Sequence, residues 1–365
     1  MPTENELARA AGGVILGGFD GVTLPESIHA RLAAGALGGV ILFKRNVENA
    51  RQVWALCRSI RDAVVSGPSP VIAVDQEGGR VARLGAPLLS LPPMRVLGAI
   101  DDVALTFDAA RSLGRGLARL GFTLDFAPVA DVDSNPANPI IGDRSFARDA
   151  ATVARHVVAF VEGLQSVGIA ACAKHFPGHG DTTEDSHLAL PRVRHARGRI
   201  DDVELPPFRA AVRANVATIM TAHVVFDSLA PDTPATIAPA ILGELLRAQL
   251  GFEGVCVSDD LFMQGIAKSL TVEQSAVRSI AAGCDALLIC TDPDAQVRAA
   301  DAMRREAESN SSFADRLRDA ESKMTRLRHR WPARPVEDAS ATGAVDREDG
   351  RVSREIATRR ARLGV

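Results

Sequence analysis

The sequence predicts a (β/α)8 barrel as the single large domain of the chain. Eight short apolar runs of strand length alternate with longer amphipathic segments within residues 1–331. Continuous apolar strands separated by helices indicate a parallel sheet that is covered on both faces, and eight such units fit a barrel, which usually needs ~250 residues plus insertions. A doubly wound open sheet is the main alternative. No G-x-G-x-x-G motif follows any of the runs, which removes the commonest use of that fold.

The predicted strands are short and rich in apolar residues. In chain order they are Val14–Gly17, Gly39–Phe43, Val71–Asp75, Thr123–Pro128, Ile169–Lys174, Ala217–Ala222, Gly254–Ser258 and Ala286–Cys290. Helical patterns between them cover Val47–Val65, Val103–Leu120, Ala150–Gln165, Asp202–Ala214, Pro239–Leu250 and Val272–Ala282. In Val47–Val65 the apolar residues recur every three to four positions, as one buried helical face requires.

Residues able to do chemistry follow the predicted strands. Those at or just beyond strand ends are Asp75, Asp131, Lys174, His175, His223 and Asp259. Because parallel barrel strands all end at the same face, and because barrels carry their sites there, these side chains are expected to meet in one site.

Composition places the chain among ordinary globular proteins and narrows its partners. Apolar residues make up 46% of the chain and charged residues 24%, with a net charge of −3. We therefore expect no nucleic-acid partner and no membrane partner. There is no signal-peptide pattern, no apolar run long enough to span a bilayer, and no C-x-x-C pair among the five cysteines. These features predict buried, reduced thiols and a cytoplasmic location.

The last part of the chain differs in composition from the predicted barrel. Residues 332–365 begin with a stretch rich in Pro, Ser, Thr, Gly and Ala and end with a short charged helix predicted at Val352–Leu363. The sequence thus predicts a barrel domain at 1–331 and a tail at 332–365. We expect the tail to pack on the surface or to be disordered rather than to take part in function.

The segment 174–191, Lys-His-Phe-Pro-Gly-His-Gly-Asp-Thr-Thr-Glu-Asp-Ser-His-Leu-Ala-Leu-Pro, is the most informative in the chain. A loop this rich in proton-transfer groups at a strand end is typical of a catalytic site. Its Asp185 and His187 are two residues apart, so the carboxylate can orient the imidazole and favour its protonated form. The segment resembles the signature of family 3 glycoside hydrolases, specifically the β-N-acetylglucosaminidase branch. The resemblance covers most of residues 12–330.

The resemblance implies the catalytic residues. Val257-Ser-Asp-Asp-Leu-Phe-Met263 is similar to the nucleophile strand of the family, in which the first Asp after Ser attacks the anomeric carbon, and this residue is Asp259 here. The same resemblance makes Asp185 and His187 the acid–base dyad. Taken without the resemblance, Asp259 or Asp260 could simply cap the following helix, and His187 could be an ordinary surface or core histidine.

The resemblance also implies the sugar-binding residues. Asp75-Gln-Glu-Gly-Gly-Arg-Val-Ala-Arg83 is similar to the family's sugar-binding loop, in which Asp75 would accept hydrogen bonds from hydroxyls and Arg83 would donate them. The other implied sugar-contacting residues are Arg144, Lys174 and His175. Asp131 and His223 either contact the sugar or hold residues that do. For Glu77 and Arg80, an ordinary ion-pair cluster is the alternative.

The implied activity is removal of a non-reducing terminal β-linked N-acetylglucosamine, with retention and without cofactor or metal. The partner would be a small oligosaccharide, such as a cell-wall muropeptide fragment, and the enzyme a monomer or a weak homo-oligomer. The chain has no Tyr, and its two Trp lie outside the catalytic loops. Because long polysaccharide clefts rely on aromatic platforms, this composition favours a pocket for one terminal sugar.

Three alternatives remain open from the sequence. The first is another specificity within the family, either a β-glucosidase or an enzyme that uses phosphate as the acceptor. The second is a non-catalytic sensor of sugar fragments on the same barrel. The third is a metal-dependent hydrolase built on the histidine-rich loop, although its spacing, H-x₃-H-x-D-x₅-H, does not match known metallohydrolase motifs.

Overall fold

The computed structural model describes residues 3–86, 88–182, 190–334 and 347–364. Its strands are β1 (Ile15–Gly17), β2 (Gly39–Leu42), β3 (Val71–Val74), β4 (Gln76–Gly78), β5 (Val81–Ala82), β6 (Leu124–Asp125), β7 (Ala170–Phe176), β8 (Arg192–Val193), β9 (Thr218–Thr221), β10 (Val225–Phe226), β11 (Val255–Asp260) and β12 (Ala286–Ile289). Eight of them form a closed barrel in the order β1, β2, β3, β6, β7, β9, β11, β12, and β12 pairs with β1. Every pairing in the barrel is parallel. The predicted (β/α)8 barrel is confirmed.

Helices surround the barrel. They are α1 (Glu4–Gly13), α2 (Glu26–Ala33), α3 (Ala50–Asp62), α4 (Met94–Ile100), α5 (Val103–Leu120), α6 (Ala150–Gln165), α7 (Arg197–Arg199), α8 (Leu205–Arg213), α9 (Gln264–Ala267), α10 (Val272–Ala282), α11 (Pro293–Ser309), α12 (Ser311–Arg330) and α13 (Arg347–Leu363). Short 3₁₀ turns lie at Lys44–Asn46, Gly142–Arg144 and Ala235–Ile237, and π-helical segments at Ile200–Glu204 and Ala240–Gln249. Among the described residues, no helix combines the length and apolar character needed to cross a bilayer.

Some strands end at other residues than the sequence predicts. The fourth barrel strand was expected at Thr123–Pro128 but covers only Leu124–Asp125, and Pro128 has no N–H to donate to a ladder. The fifth and seventh strands run further, to Phe176 and Asp260. Because β7 and β11 are longer than predicted, two of the predicted site regions lie on strands rather than on loops.

The barrel strands are buried along their whole length, apart from the last two residues of β11. Their side chains and the inner faces of the helices form one continuous apolar core. A strand covered on both faces has no need of polar alternation, which is why these strands are continuous apolar runs in the sequence. The same burial makes the barrel a rigid support for residues at its C-terminal face.

The helix α13 packs against α4 and α5. Its Val352 and Ile356 are buried, and Arg359 pairs with Asp102 at 2.6 Å. The helix begins at Arg347 rather than at the predicted Val352. The C-terminal helix therefore lies on the flank of the barrel, next to the helices that support one of the site loops.

Candidate active site

The predicted site residues gather at the C-terminal face of the barrel. Asp75 directly follows β3, Asp131 lies beyond β6, Lys174 and His175 belong to β7, and His223 lies just beyond β9. Asp259 is the second-last residue of β11. Arg83 and Arg144 reach the same place from the β5 end and from the 3₁₀ turn Gly142–Arg144. The two remaining predictions, Asp185 and His187, lie outside the described residues.

A cluster of three cations and two carboxylates, which we call the Lys174 cluster, occupies one side of this face. The buried Lys174 Nζ lies 2.7 Å from Asp75 Oδ1 and 2.6 Å from Glu77 Oε1. Arg144 binds both oxygens of Glu77, at 2.9 and 2.8 Å. Arg83 Nη2 lies 3.5 Å from Asp75 Oδ2. Four of the five members are predicted sugar ligands, and Glu77 joins them.

Opposite charges keep the Lys174 cluster ionised. Burial alone would raise the pKa of Glu77, but the charges of Arg144 and Lys174 outweigh burial and hold that pKa below its ordinary range. Burial alone would lower the pKa of Lys174, but Asp75 and Glu77 raise it. The cluster is therefore a fixed array of charged donors and acceptors, suited to the hydroxyl groups of one small polyol.

Arg80 differs in its contacts from the predicted sugar-contacting residues. It is half exposed, donates to the carbonyl oxygen of Ile140 and lies 3.5 Å from Asp143. These contacts tie the hairpin of β4 and β5 to the segment that carries Arg144. The pair with Asp143 is of the ion-pair kind that the sequence left open for Arg80.

Asp131 holds the strand-end histidines in place. Its fully buried carboxylate accepts hydrogen bonds from the backbone N–H of His175 at 3.1 Å, from His175 Nδ1 at 2.7 Å, and from the backbone N–H of His179 at 2.7 Å. Since Nδ1 of His175 is bound to Asp131, Nε2 is the ring nitrogen left for a ligand. In the structure, Asp131 holds His175 and His179.

His223 supports the strand that carries Asp259. It is fully buried, with Nδ1 2.8 Å from the hydroxyl of Thr236 and Nε2 3.0 Å from the backbone carbonyl oxygen of Asp260. Both ring nitrogens therefore contact protein atoms. The contact with Asp260 places His223 against the residue that follows Asp259.

The adjacent carboxylates Asp259 and Asp260 differ in environment. Burial would raise the pKa of Asp259, but the electrostatic effects of His175 and His223 lower it below the ordinary value. Asp260 accepts from the N–H groups of Phe262 at 3.3 Å and Cys290 at 3.2 Å. Burial raises the pKa of Asp260 to about 6. Asp259 is thus the more acidic of the two carboxyl groups, and Asp260 accepts hydrogen bonds from the backbone.

Sequence reasoning missed one buried acid beneath the site. Asp125 in β6 is fully buried, and its Oδ1 accepts from the N–H of Gln76 at 2.9 Å. Burial raises its pKa well above the ordinary value. An aspartate inside the apolar run Thr123–Pro128 was the available signal, because a buried charge in a strand needs a reason.

The described part of the histidine-rich loop packs tightly on the barrel. Thr182 Oγ1 lies 2.8 Å from His179 Nδ1, and Asn138 Nδ2 donates to the carbonyl oxygen of His179 at 2.8 Å. A Cβ atom on Gly180 would lie 1.6 Å from the carbonyl oxygen of Val132. The backbone of Gly180 therefore lies so close to Val132 that a residue with a Cβ atom does not fit at this position without a shift.

This close approach predicts the effect of Gly180→Ala. The new methyl must push the loop off the barrel, so we expect a loss of about 1–3 kcal/mol in unfolding free energy. Catalytic efficiency should fall by more than about tenfold, because residues near the chemistry are displaced. Gly198→Ala is the matched control, since nothing lies within 4 Å of a Cβ at Gly198. Equal behaviour of the two variants in thermal unfolding and in turnover would contradict the interpretation.

No metal centre is found in the described part of the chain. In residues 3–86, 88–182, 190–334 and 347–364, no group of three or more His, Cys, Asp or Glu is arranged to hold an ion. His175 and His179 are instead bound to Asp131 and Thr182. His187, the last member of the suggested metal motif, lies outside these residues.

Comparison with known proteins agrees with the geometry. The sequence profile of the family described as Glycosyl hydrolase family 3 N terminal domain matches residues 18–327. A β-hexosaminidase of Neisseria meningitidis serogroup C is 40% identical over 290 residues, which are 77% of this chain and 79% of that protein.

Two solved structures are also similar. A family 3 β-N-acetylglucosaminidase from Paenibacillus sp. superposes with a TM-score of 0.91 at 36% identity, over 97% of this chain and 68% of that one. NagZ from Neisseria gonorrhoeae, solved in complex with N-trifluoroacetyl-D-glucosamine, has a TM-score of 0.78 at 32% identity, over 95% of this chain and 98% of that one. The resemblance seen in the loop 174–191 is confirmed, and the chain belongs to glycosyl hydrolase family 3.

Proposed function

We propose that this protein is a retaining exo-β-N-acetylglucosaminidase. The observation that carries the proposal is that Asp259 and the buried charged side chains of the Lys174 cluster lie at the same barrel face. A similar protein of Neisseria meningitidis is named a β-hexosaminidase, and the similar NagZ of Neisseria gonorrhoeae binds an N-acylglucosamine derivative. These relatives support the same substrate class.

The proposed chemistry has two steps. Asp259 attacks the anomeric carbon, the bond to the leaving group breaks, and a glycosyl ester forms on the carboxylate. His187, protonated and oriented by Asp185, gives its proton to the leaving oxygen. The same imidazole, now neutral, takes a proton from water as the water hydrolyses the ester. An imidazole suits both steps because its reference pKa of ~6.5 lies near working pH.

The Lys174 cluster would bind the ring hydroxyl groups of the sugar. Asp75 accepts from hydroxyl groups, while Arg83, Arg144 and Lys174 donate to them. His175 adds its Nε2, since Nδ1 is bound to Asp131. A site built from charged hydrogen-bonding groups rejects a ligand that leaves them unpaired, and this favours one terminal sugar over a continuous polymer.

We further propose that the substrates are short cell-wall fragments such as muropeptides, and that the enzyme acts in the cytoplasm. All five cysteines are free and buried, as suits a reducing compartment. We propose that the enzyme acts without a cofactor, as a monomer or weak homo-oligomer. Gel filtration of the purified chain measures the oligomeric state.

The experiment that tests the proposed function compares two chromogenic substrates. Purified protein is assayed on an aryl β-N-acetylglucosaminide and on the matching β-glucoside, each with and without inorganic phosphate. Selective hydrolysis of the first without phosphate supports the proposal. Preference for the glucoside indicates a β-glucosidase, activity that requires phosphate indicates a phosphorylase, and activity on neither substrate under any condition indicates a sugar-fragment sensor.

The role proposed for His187 predicts a dependence on the leaving group. His187→Ala should lose little activity with an aryl group that leaves as a stable anion, because such a group needs little protonation. The loss should grow as the pKa of the leaving group rises. The measurement is kcat/KM for a series of aryl β-N-acetylglucosaminides with wild type and variant. A loss of the same size across the whole series would remove His187 from the role of acid.

A further inference from the structure

One partly buried arginine outside the Lys174 cluster, Arg95, holds the segment that carries Arg144. Arg95 lies at the start of α4 and contacts that segment. Its Nη2 donates to the backbone carbonyl oxygen of Gly142 at 3.1 Å, and its Nε donates to that of Ser145 at 3.3 Å. These two carbonyl groups flank Arg144 in the chain. A single guanidinium thus fixes the backbone on both sides of Arg144.

Further contacts hold the segment that carries Arg144. Arg95 Nη2 also donates to Asp133 Oδ2 at 2.7 Å, and the Ser145 hydroxyl donates to the carbonyl oxygen of Asp131 at 2.6 Å. A Cβ on Gly98, one turn further along α4, would lie 1.9 Å from the carbonyl oxygen of Phe146. The helix α4 therefore lies directly against the segment, with Arg95 as its polar link.

The two hydrogen bonds from Arg95 to the backbone matter for the sugar site, because they fix the backbone on both sides of Arg144. Arg144 meets Glu77 with both ends of its own guanidinium, at 2.9 and 2.8 Å, and such a two-point contact tolerates little displacement of the backbone. Glu77 in turn binds Lys174 at 2.6 Å. A shift of the segment would thus disturb Arg144 first and then Glu77 and Lys174.

We propose that Arg95 is a positioning residue for the glycosidase reaction, acting through Arg144 on the binding of the terminal sugar. The inference rests on the proposed function, because it takes Arg144 as a sugar ligand. Arg95 itself binds Asp133 and loop backbone rather than the Lys174 cluster. Its effect on catalysis would therefore pass entirely through the position of Arg144.

A purely structural role is the competing explanation, since Asp133 is buried and needs a cation. Arg95→Lys separates the two. Lysine keeps a positive charge for Asp133. Its single ammonium does not reproduce the pair of hydrogen bonds that the guanidinium donates to the carbonyl oxygens of Gly142 and Ser145. We expect the variant to unfold within a few degrees of wild type while its KM for an aryl β-N-acetylglucosaminide rises about tenfold or more. The change in kcat should be smaller than the change in KM.

Arg148→Gln is the matched control. Arg148 Nε lies 3.4 Å from the same Asp133 oxygen, but this side chain is 63% exposed. It should leave KM and kcat near the wild-type values. A rise in KM with Arg148→Gln equal to that with Arg95→Lys would show that the charge on Asp133, and not the position of Arg144, is responsible, and this would overturn the inference.

A double-mutant cycle with Arg144→Gln completes the test. If Arg95 acts through Arg144, then Arg95→Lys should change KM less than about twofold once Arg144 is already glutamine, because coupled residues are not additive. Independent effects that multiply in the double variant, or a wild-type KM for Arg95→Lys, would overturn the inference while leaving the proposed function intact. A wild-type KM for Arg144→Gln would instead overturn the role of Arg144 and the inference with it. Absence of glycosidase activity in the wild type would overturn the proposed function itself.

Discussion

Replacing Asp259 with asparagine should abolish turnover of aryl β-N-acetylglucosaminides. The amide keeps the size of the side chain but cannot form the glycosyl ester, so kcat should fall by on the order of 10⁴-fold or more, the scale seen when a covalent nucleophile is removed. Folding should be little affected, because Asp259 lies at the end of β11 and its Oδ1 accepts only from its neighbour's N–H, at 2.8 Å, in the described contacts. The measurement is kcat together with thermal unfolding.

The neighbouring carboxylate provides the control for this prediction. Asparagine at position 260 can still accept from the N–H groups of Phe262 and Cys290, so Asp260→Asn should lower kcat by no more than about tenfold.

Asp260→Asn should also change the pH dependence of stability. The pKa of Asp260 in the folded protein is raised to about 6 from 3.8. The folded state therefore holds the proton more tightly, and wild-type stability falls as pH rises from about 4 to about 6. Asp260→Asn should lose this fall. A larger loss of kcat in Asp260→Asn than in Asp259→Asn would reverse the assignment of the two residues.

Lys174→Met should damage both folding and substrate binding. The change leaves Asp75 and Glu77 without the ammonium that lies 2.7 and 2.6 Å from them, in a position where Lys174 is only 2% exposed. Removing one partner from a buried charge network costs about 3–5 kcal/mol of unfolding free energy. In addition, kcat/KM per folded enzyme should fall by about 100-fold or more, since the sugar loses a donor and the remaining ligands shift.

Lys323→Met separates the two effects. Lys323 in α12 lies 2.6 Å from Asp319 and 3.3 Å from the buried Asp285, which precedes β12 and so lies at the opposite end of the barrel. This variant should be less stable than wild type but should retain the wild-type kcat/KM. If Lys174→Met behaved in the same way, with stability lost and kcat/KM unchanged, the Lys174 cluster would be a structural feature and not a sugar site.

The barrel and the place of the site followed from the sequence because both depend on local patterns. Burial on two faces makes each strand an apolar run, and a barrel puts all its strand ends at one face. Asp75, Asp131, His175 and Asp259 were therefore located without coordinates. The lengths of β7 and β11 were not predicted, because these strands continue through polar residues such as His175 and Asp259, and whether such residues extend a strand depends on neighbouring strands.

The contacts within the site needed the structure. Nothing in the sequence pairs Arg144 with Glu77, which are 67 residues apart, or Arg95 with the backbone around Arg144. Without the family resemblance, the sequence also did not distinguish Asp259 from Asp260, since either could cap the following helix. In the structure, Asp260 contacts His223 through its carbonyl oxygen and Cys290 through its carboxylate, and these two residues lie just beyond β9 and β12.

Mass spectrometry can show whether Asp259 carries the sugar as a covalent ester. A ring-fluorinated N-acetylglucosaminyl fluoride should load the enzyme quickly and hydrolyse slowly, because the ring fluorine destabilises the oxocarbenium-like transition state while the fluoride leaves readily. We predict one sugar on the intact protein and on the peptide that contains Asp259, and none in Asp259→Asn. A sugar attached to Asp260 or to any other residue would rule out Asp259 as the nucleophile, and release of the product with inverted anomeric configuration would rule out the covalent ester.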